Sequence, residues 1–333
     1  MPTDSRLLLL SNWIHSKYPE ARLEPASEDA SFRRYFRVYH ASNSWIAMDA
    51  PPDKGSLDSF LDITTRLQRV GVVVPNIYHA LPEQGFLLIT DFGRIPYLSA
   101  LSADSVDELY QDALSTLIKL QGAETEGLPV YDQGFLQMEL ELMPEWFLSK
   151  HLGITLSNTE QLELQGIFNQ LIASALEQPQ VFVHRDYHSR NLMHTPEFNP
   201  GVIDYQDAVL GPVCYDAVSL LRDCYIAWPE QQVVQWRRDF QALLVQQGTV
   251  SDVSEETFQR WFDWIGLQRH LKVLGIFARL CHRDGKSHYL NDLPLTLSYI
   301  LSVASRYPEL SGLVDLLTRH NVPQRIGTIE GVI

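Results

Sequence analysis

The sequence predicts an α+β protein of two lobes, a small β-rich N-lobe over residues 1–92 and a larger, mainly helical C-lobe over residues 93–333. Three observations carry this reading. The first ninety residues interleave signals in the order strand, strand, helix, strand, strand. From about residue 100 the apolar residues recur mostly at helical spacing. Two short apolar stretches, 181–184 and 201–204, interrupt that helical half and bracket a polar loop. A chain of 333 residues, 45% apolar and 20% charged, is long enough for two such lobes.

The elements follow in order. Residues 7–17 form an amphipathic helix. Residues 32–40 and 44–49 read as two strands around a turn at 41–43, a hairpin. Pro51-Pro52-Asp53-Lys54-Gly55 is loop. Leu57, Phe60, Leu61, Thr64 and Leu67 recur at helical spacing, so 57–70 is helical and Gly71 ends it. Residues 72–78 and 85–90 read as strands, and the lobe boundary falls near 90–94. Beyond it, helices are expected over 106–121, 137–152, 159–177, 229–247, 255–282 and 295–307.

Charge and composition exclude several function classes. The formal net charge of −15 argues against nucleic acid and anionic membrane as partners, because both need a basic surface. No window approaches ~18 uninterrupted apolar residues, so no spanning helix is expected. The N-terminal apolar run is only Leu7 to Leu10, and Asp4 stands where a secretory leader is basic. Cys214, Cys224 and Cys281 are odd in number and lack metal-type spacing. They fit packing roles in a reducing, cytoplasmic setting.

The polar loop carries the chemistry. Phe182-Val183-His184-Arg185-Asp186-Tyr187-His188-Ser189-Arg190-Asn191-Leu192 contains H-R-D-x-x-x-x-N. Phosphoryl transfer requires little covalent work from a protein. It requires a carboxylate to orient or deprotonate the acceptor hydroxyl, and oxygen ligands to hold Mg²⁺ on the phosphates. Asp186 fits the first role. Asn191 fits the second, with Asp204, which ends a short apolar strand thirteen residues later. Either residue alone would read as a loop cap; strand, motif, second strand and carboxylate together do not. His184 fits a loop-shaping hydrogen bond. Arg185 fits a charge partner or a substrate contact, and His188 a loop-ordering histidine or an acceptor contact. The preceding element order is also that of a kinase-like N-lobe.

On these segments the chain resembles the aminoglycoside phosphotransferase/choline kinase family, relatives of protein kinases with the same two-lobed fold. Ile203-Asp204-Tyr205 stands at that family's metal-binding segment, and Gly211-Pro212-Val213-Cys214-Tyr215-Asp216-Ala217 at its continuation. There the resemblance implies that Asp216 anchors the catalytic-loop backbone. More narrowly, Ala30-Ser31-Phe32-Arg33-Arg34-Tyr35-Phe36-Arg37, Glu141-Leu142-Met143-Pro144-Glu145-Trp146 and Gln268-Arg269-His270-Leu271-Lys272 resemble bacterial anomeric sugar kinases. Those act on N-acetylmuramate and N-acetylglucosamine during cell-wall recycling. The resemblance implies ATP and Mg²⁺ as cofactors and a small amino sugar as acceptor.

Spacing bears independently on the acceptor. Asp216 follows Asp204 by only twelve residues and no A-P-E sequence is present, so a peptide-docking segment is missing. A small-molecule acceptor is expected. The alternatives are a choline- or aminoglycoside-like acceptor, or a nucleotide-binding regulator without turnover.

The phosphate-holding half departs from the usual pattern. The stretch from Glu28 to Phe36 has no glycine, and Met48 stands where a strand lysine is expected. Ser31 offers a hydroxyl, and Arg33 or Arg34 is expected to replace the lysine through a bidentate fork. Adenine is expected against the hinge, Ile89 to Phe92, with Ile89 and Asp91 as contacts through backbone groups. Arg269, Lys272, Arg279, Arg283 and Lys286 fall within roughly one 100° sector at about 100° per residue. That basic face is either solvated or meets an anionic substrate, with Arg269 and Arg279 as the contacts. Glu141, Glu145 and Trp146 read as sugar contacts or as ordinary surface and core.

Overall fold

The computed structural model describes residues 4–27 and 32–329. Helix α1 (Ser5–Lys17) is capped by Asp4, whose carboxylate accepts the Leu7 N–H at 3.0 Å. Five antiparallel strands follow: β1 (Arg22–Ser27), β2 (Arg34–His40), β3 (Asn43–Asp49), β4 (Ile77–Leu81) and β5 (Phe86–Thr90). Their order is β1-β2-β3-β5-β4. The hairpin is present, paired from Arg34 opposite Asp49 to His40 opposite Asn43. Strand β1 was not expected from the sequence. Pro25 sits inside it, a residue a sheet tolerates at an edge such as this one.

The strand expected over 72–78 starts only at Ile77. Pro75 lacks a donor, and the segment before it runs between lobes, where the Val202 N–H donates to the Val73 carbonyl at 2.8 Å. Strand alternation sorts the sheet into two faces. Phe36, Val38, Ala47, Phe86 and Leu88 pack under Leu10 and Ile14 of α1. Met48, Leu87 and Ile89 point the other way, toward helix α2 (Asp58–Arg69) and the C-lobe core. Met48 is fully buried there.

The C-lobe begins with α3 (Tyr97–Ala100), α4 (Val106–Gln121) and α5 (Gln133–Leu140). The single helix expected over 137–152 is broken. Residue Pro144 cannot donate to the preceding turn, and a π-helical segment runs over Met143–His151. Then come α6 (Asn158–Leu176), strands β6 (Gln180–Val183), β7 (Leu192–Met193), β8 (Gly201–Val202) and β9 (Val209–Pro212), and helix α7 (Tyr215–Leu221). All seven residues of α7 are buried, which erases the periodic pattern that would have announced it. Helices α8 (Glu230–Gln247), α9 (Glu255–Asp284), α10 (Leu293–Ala304), α11 (Ser311–Arg319) and α12 (Val322–Ile326) complete the lobe.

Helix α9 is the axle of this half. It packs against the π-helical segment, α6, α7 and α10. Every residue from Trp261 to Gly275 is buried, so its basic face is not a solvated stripe over that stretch. Gly275 marks the tightest contact: an added Cβ would lie 2.4 Å from the Leu142 carbonyl carbon. In an open helix Gly→Ala stabilises. Here Gly275→Ala is expected to lower stability by about 1–3 kcal/mol through overpacking against backbone. An unchanged or raised thermal midpoint would show that the two helical segments can part.

Candidate active site

The loop between β6 and β7 is held by hydrogen bonds from three directions. Asp216, in the first turn of α7, accepts the backbone N–H of His184 at 2.7 Å and of Arg185 at 3.0 Å. Burial pushes its carboxyl up to about 6 against the pull of His184 and those two amides. The His184 imidazole faces the Ile203 carbonyl through Nε2 at 3.0 Å, so Nε2 carries the proton. Its Nδ1 then accepts the Asp186 N–H at 3.2 Å. Burial lowers the His184 pKa, in keeping with this neutral tautomer. From the far side Asp223 accepts the Ser189 N–H and hydroxyl at 2.9 and 2.5 Å. Arg185 takes a left-handed φ of 77°, a conformation costing about 1–3 kcal/mol that these contacts enforce.

The loop presents Asp186 and Asn191 to a cleft of about 710 Å³ between the sheet and the helices, and Asp204 joins them there. The Asn191 side-chain NH₂ donates to the Asp186 carbonyl at 3.0 Å and lies 3.4 Å from Asp204 Oδ2, which leaves its oxygen unengaged by those bonds. Gln206 donates to Asp204 Oδ1 at 2.9 Å. Burial raises the Asp186 carboxyl, but the field of Lys272, His188, Arg185 and Arg269 outweighs it. The group therefore titrates below the ordinary carboxylate range. His188 also lines the cleft, and burial pushes it down to about 4, so its ring is neutral near pH 7. Ile89 and Asp91 line the opposite wall. Arg37 engages the Asp91 carboxylate at 2.7 and 3.1 Å and the Gly93 carbonyl at 2.7 Å, which fixes the hinge.

Several expected residues stand elsewhere. Arg34 lies on the α1 face of the sheet, paired with Asp4 and with Asp49, the latter at 2.5 Å. It cannot reach the cleft, because strand parity turns it away from Tyr35 and Arg37. Arg33 places its guanidinium 5.0 Å from the Phe32 ring centre and is not among the cleft-lining residues. Ser31 falls outside the described residues. Arg185 turns into a second hollow behind the loop, over Phe135, and pairs with Glu139 at 2.7 Å. Glu141 is exposed, accepts from Gln137 and does not line the cleft. Arg279 is half-buried and also off the cleft, whereas Arg269 lines it.

Sequence reasoning passed over three residues that matter here, Glu139, Arg190 and Tyr225, and read Lys272 only as part of the basic face of α9. Glu139 was legible in principle. It follows Leu136 by three positions on the buried face of α5, while Glu141 sits on the open face. Glu139 accepts from Lys272 at 2.9 Å as well as from Arg185 and Tyr131. This cluster ties α5, the β6–β7 loop and α9 together.

A carboxylate and an amide beside a second carboxylate, on a hydrogen-bonded loop between two lobes, form a phosphoryl-transfer constellation. The model of the phosphotransferase enzyme family matches residues 22–249, and the chain belongs to that family. Among individual relatives, the N-acetylmuramate/N-acetylglucosamine kinase of Pseudomonas aeruginosa is 44% identical over 337 residues, spanning 97% of this chain and 99% of that one. The protein of the same name from Neisseria meningitidis is 41% identical, spanning 94% and 95%. Solved structures show the shared fold. An ADP-bound aminoglycoside phosphotransferase, APH(2'')-Ib, matches with a TM-score of 0.59 at 15% identity over 89% of this chain and 97% of that one. Choline kinase LicA from Streptococcus pneumoniae matches at 0.58 and 13% identity over 90% and 100%. Among the described residues, no helix is long and apolar enough to cross a membrane.

Proposed function

We propose that the chain transfers the γ-phosphoryl group of ATP to the anomeric hydroxyl of N-acetylmuramate or N-acetylglucosamine, in the cytoplasm. The relatives' names support the acceptor. The observation that carries it is the charge of the cleft. Its acids among the lining residues are Asp91, Asp186 and Asp204, and Asp91 is engaged by Arg37. Arg190, Arg269 and Lys272 line the helical side with Tyr225 and Phe277. A polycationic aminoglycoside or a choline head group finds no spare carboxylate there. A neutral or acidic sugar finds cations and aromatic faces.

In this reading the Asp186 carboxylate accepts the proton of the anomeric hydroxyl as its oxygen bonds to the γ-phosphorus and the bond to ADP breaks. The Asn191 oxygen and the Asp204 carboxylate are hard donors that suit Mg²⁺, which supplies charge neutralisation to the phosphate oxygens when bound. Ile89 and the hinge that Arg37 and Asp91 fix accept the adenine. Of Arg33 and Arg34, Arg33 is the one proposed for the phosphates, because Arg34 is committed to Asp4 and Asp49 on the α1 face. His184 and Asp216 hold the loop. The three cysteines are free thiols, in keeping with a reducing compartment.

A panel of amino sugars, choline and an aminoglycoside with ATP and Mg²⁺ tests the reading, following ADP release and the phosphorylated carbon by NMR. Phosphate on C1 of the two N-acetyl sugars is expected. Transfer to choline or the aminoglycoside alone would overturn it.

A further inference from the structure

The cleft holds two guanidiniums whose donors are largely unused. Arg269 is 3% exposed, yet among the described residues it makes one hydrogen bond, from Nη1 to the Cys224 sulfur at 3.3 Å. A thiol is a weak acceptor for a buried cation. The Asp223 carboxylate acts on it through its field alone, because its oxygens are taken by the Ser189 N–H and hydroxyl and by the Tyr225 N–H. Arg190 comes from the catalytic loop and lies flat on Tyr225, its Cζ 3.5 Å from the ring centre. Its guanidinium makes no hydrogen bond among the described residues; Asp292 stands 3.9 Å away, beyond hydrogen-bond reach. The neutral His188 ring abuts the same tyrosine at 5.3 Å. Two cations from different elements thus flank one dipeptide of the cleft wall, Cys224-Tyr225, on the side of Asp186 where the acceptor must sit.

A buried guanidinium with no carboxylate in hydrogen-bond contact keeps donors unpaired, and that cost is relieved when a ligand brings a carboxylate to them. Lys272, three residues along α9, is a different case, because Glu139 already neutralises it at 2.9 Å. We infer that Arg190 and Arg269 form a carboxylate receptor in the acceptor half of the cleft, and that they set the preference for an acid-bearing amino sugar over its neutral counterpart. The inference rests on the acceptor reading above and adds two specificity residues to it. Tyr225 serves as the platform that holds the Arg190 plane while the side chain exchanges Asp292 for the ligand.

The test measures equilibrium binding by calorimetry and transfer by ADP release, separately, for N-acetylmuramate, N-acetylglucosamine and N-acetylglucosamine 1-phosphate. The proteins are the native chain, Arg190→Gln, Arg269→Gln, and the conservative Arg190→Lys and Arg269→Lys. In each Gln variant the Kd for N-acetylmuramate is expected to rise about tenfold more than the Kd for N-acetylglucosamine. Lysine, keeping the charge, should restore part of the ratio. Equal losses for the acidic and the neutral sugar would reduce both arginines to structural roles and overturn the proposal. A loss confined to the 1-phosphate would reassign the receptor to the transferred group and overturn the carboxylate assignment. Thermal midpoints separate either result from misfolding. If the native chain transfers phosphate to neither sugar, the acceptor reading has failed; if it does and the ratios stay put, the receptor has failed.

Discussion

Asp186→Asn is expected to lower kcat for sugar phosphorylation by about 10²–10⁴-fold while ATP affinity and thermal stability change little. Asparagine keeps the shape and a hydrogen-bond acceptor but cannot take the proton. ADP release that survives at near-native rate would mean that Asp186 is no base, and absence of transfer in the native chain would favour a nucleotide-binding regulator. The pH profile carries a second check. A base works when deprotonated, so its limb of kcat/KM rises with pH through its pKa. Lys272, His188, Arg185 and Arg269 hold the Asp186 carboxyl below the ordinary carboxylate range against the effect of burial. No loss assignable to Asp186 is therefore expected between pH 8 and about 5. Lys272→Met removes the foremost of those charges and should move the limb to higher pH. A limb that stays in place would separate Lys272 from Asp186.

A weak base also fits the proposed acceptor. An anomeric hydroxyl sheds its proton more readily than an ordinary alcohol, because the ring oxygen withdraws electron density from C1. Such an acceptor needs orientation and a developing negative oxygen more than a strong base. A carboxylate ringed by cations supplies the former and is ionised when the acceptor hydroxyl arrives.

The parts that were legible in the sequence were those with local rules. The loop motif, the Asp204 spacing, the β2–β3 hairpin and most long helices follow from residue types at fixed offsets. What escaped depended on partners distant in sequence. Arg34 looked available to the phosphates until the strand register paired it opposite Asp49 and turned both toward α1. The basic stripe on α9 was a true angular cluster, but periodicity cannot tell a solvated face from one buried against other helices. Once α6, α7, α10 and the π-helical segment surround that helix, the stripe divides. Arg269 and Lys272 line the cleft, whereas Arg283 and Lys286 stay near the surface. Asp91 was read as a hinge contact, and its side chain proved to be the lock on that hinge.

Glu139→Gln is the second large effect. The Glu139 carboxylate is 3% exposed and is shared by Lys272 at 2.9 Å and Arg185 at 2.7 Å, with Tyr131 and Gln268 donating as well. Burial raises its carboxyl, but Lys272 and Arg185 prevail and lower it. Glutamine keeps the volume and strands two buried cations, which costs about 3–5 kcal/mol when one partner of a buried pair is removed. The linkage has a definite sign. A carboxyl lowered on folding contributes stability above its unfolded value of 4.5, and that contribution fades as pH falls through the lower folded value. Urea unfolding of native and variant chains should therefore differ most near pH 7 and draw together as pH falls below 4.5 through the lower folded value. A gap that is constant with pH would mean that shape, not charge, is what Glu139 provides. Glu139→Gln with Lys272→Met should recover part of the loss, since a stranded ammonium is then gone. Catalysis should suffer beyond stability, because the same carboxylate fixes Arg185 at its left-handed turn, one residue before Asp186, and holds Lys272 beside that base. A variant that unfolds more easily yet turns over at the native rate while folded would confine the cluster to a structural role.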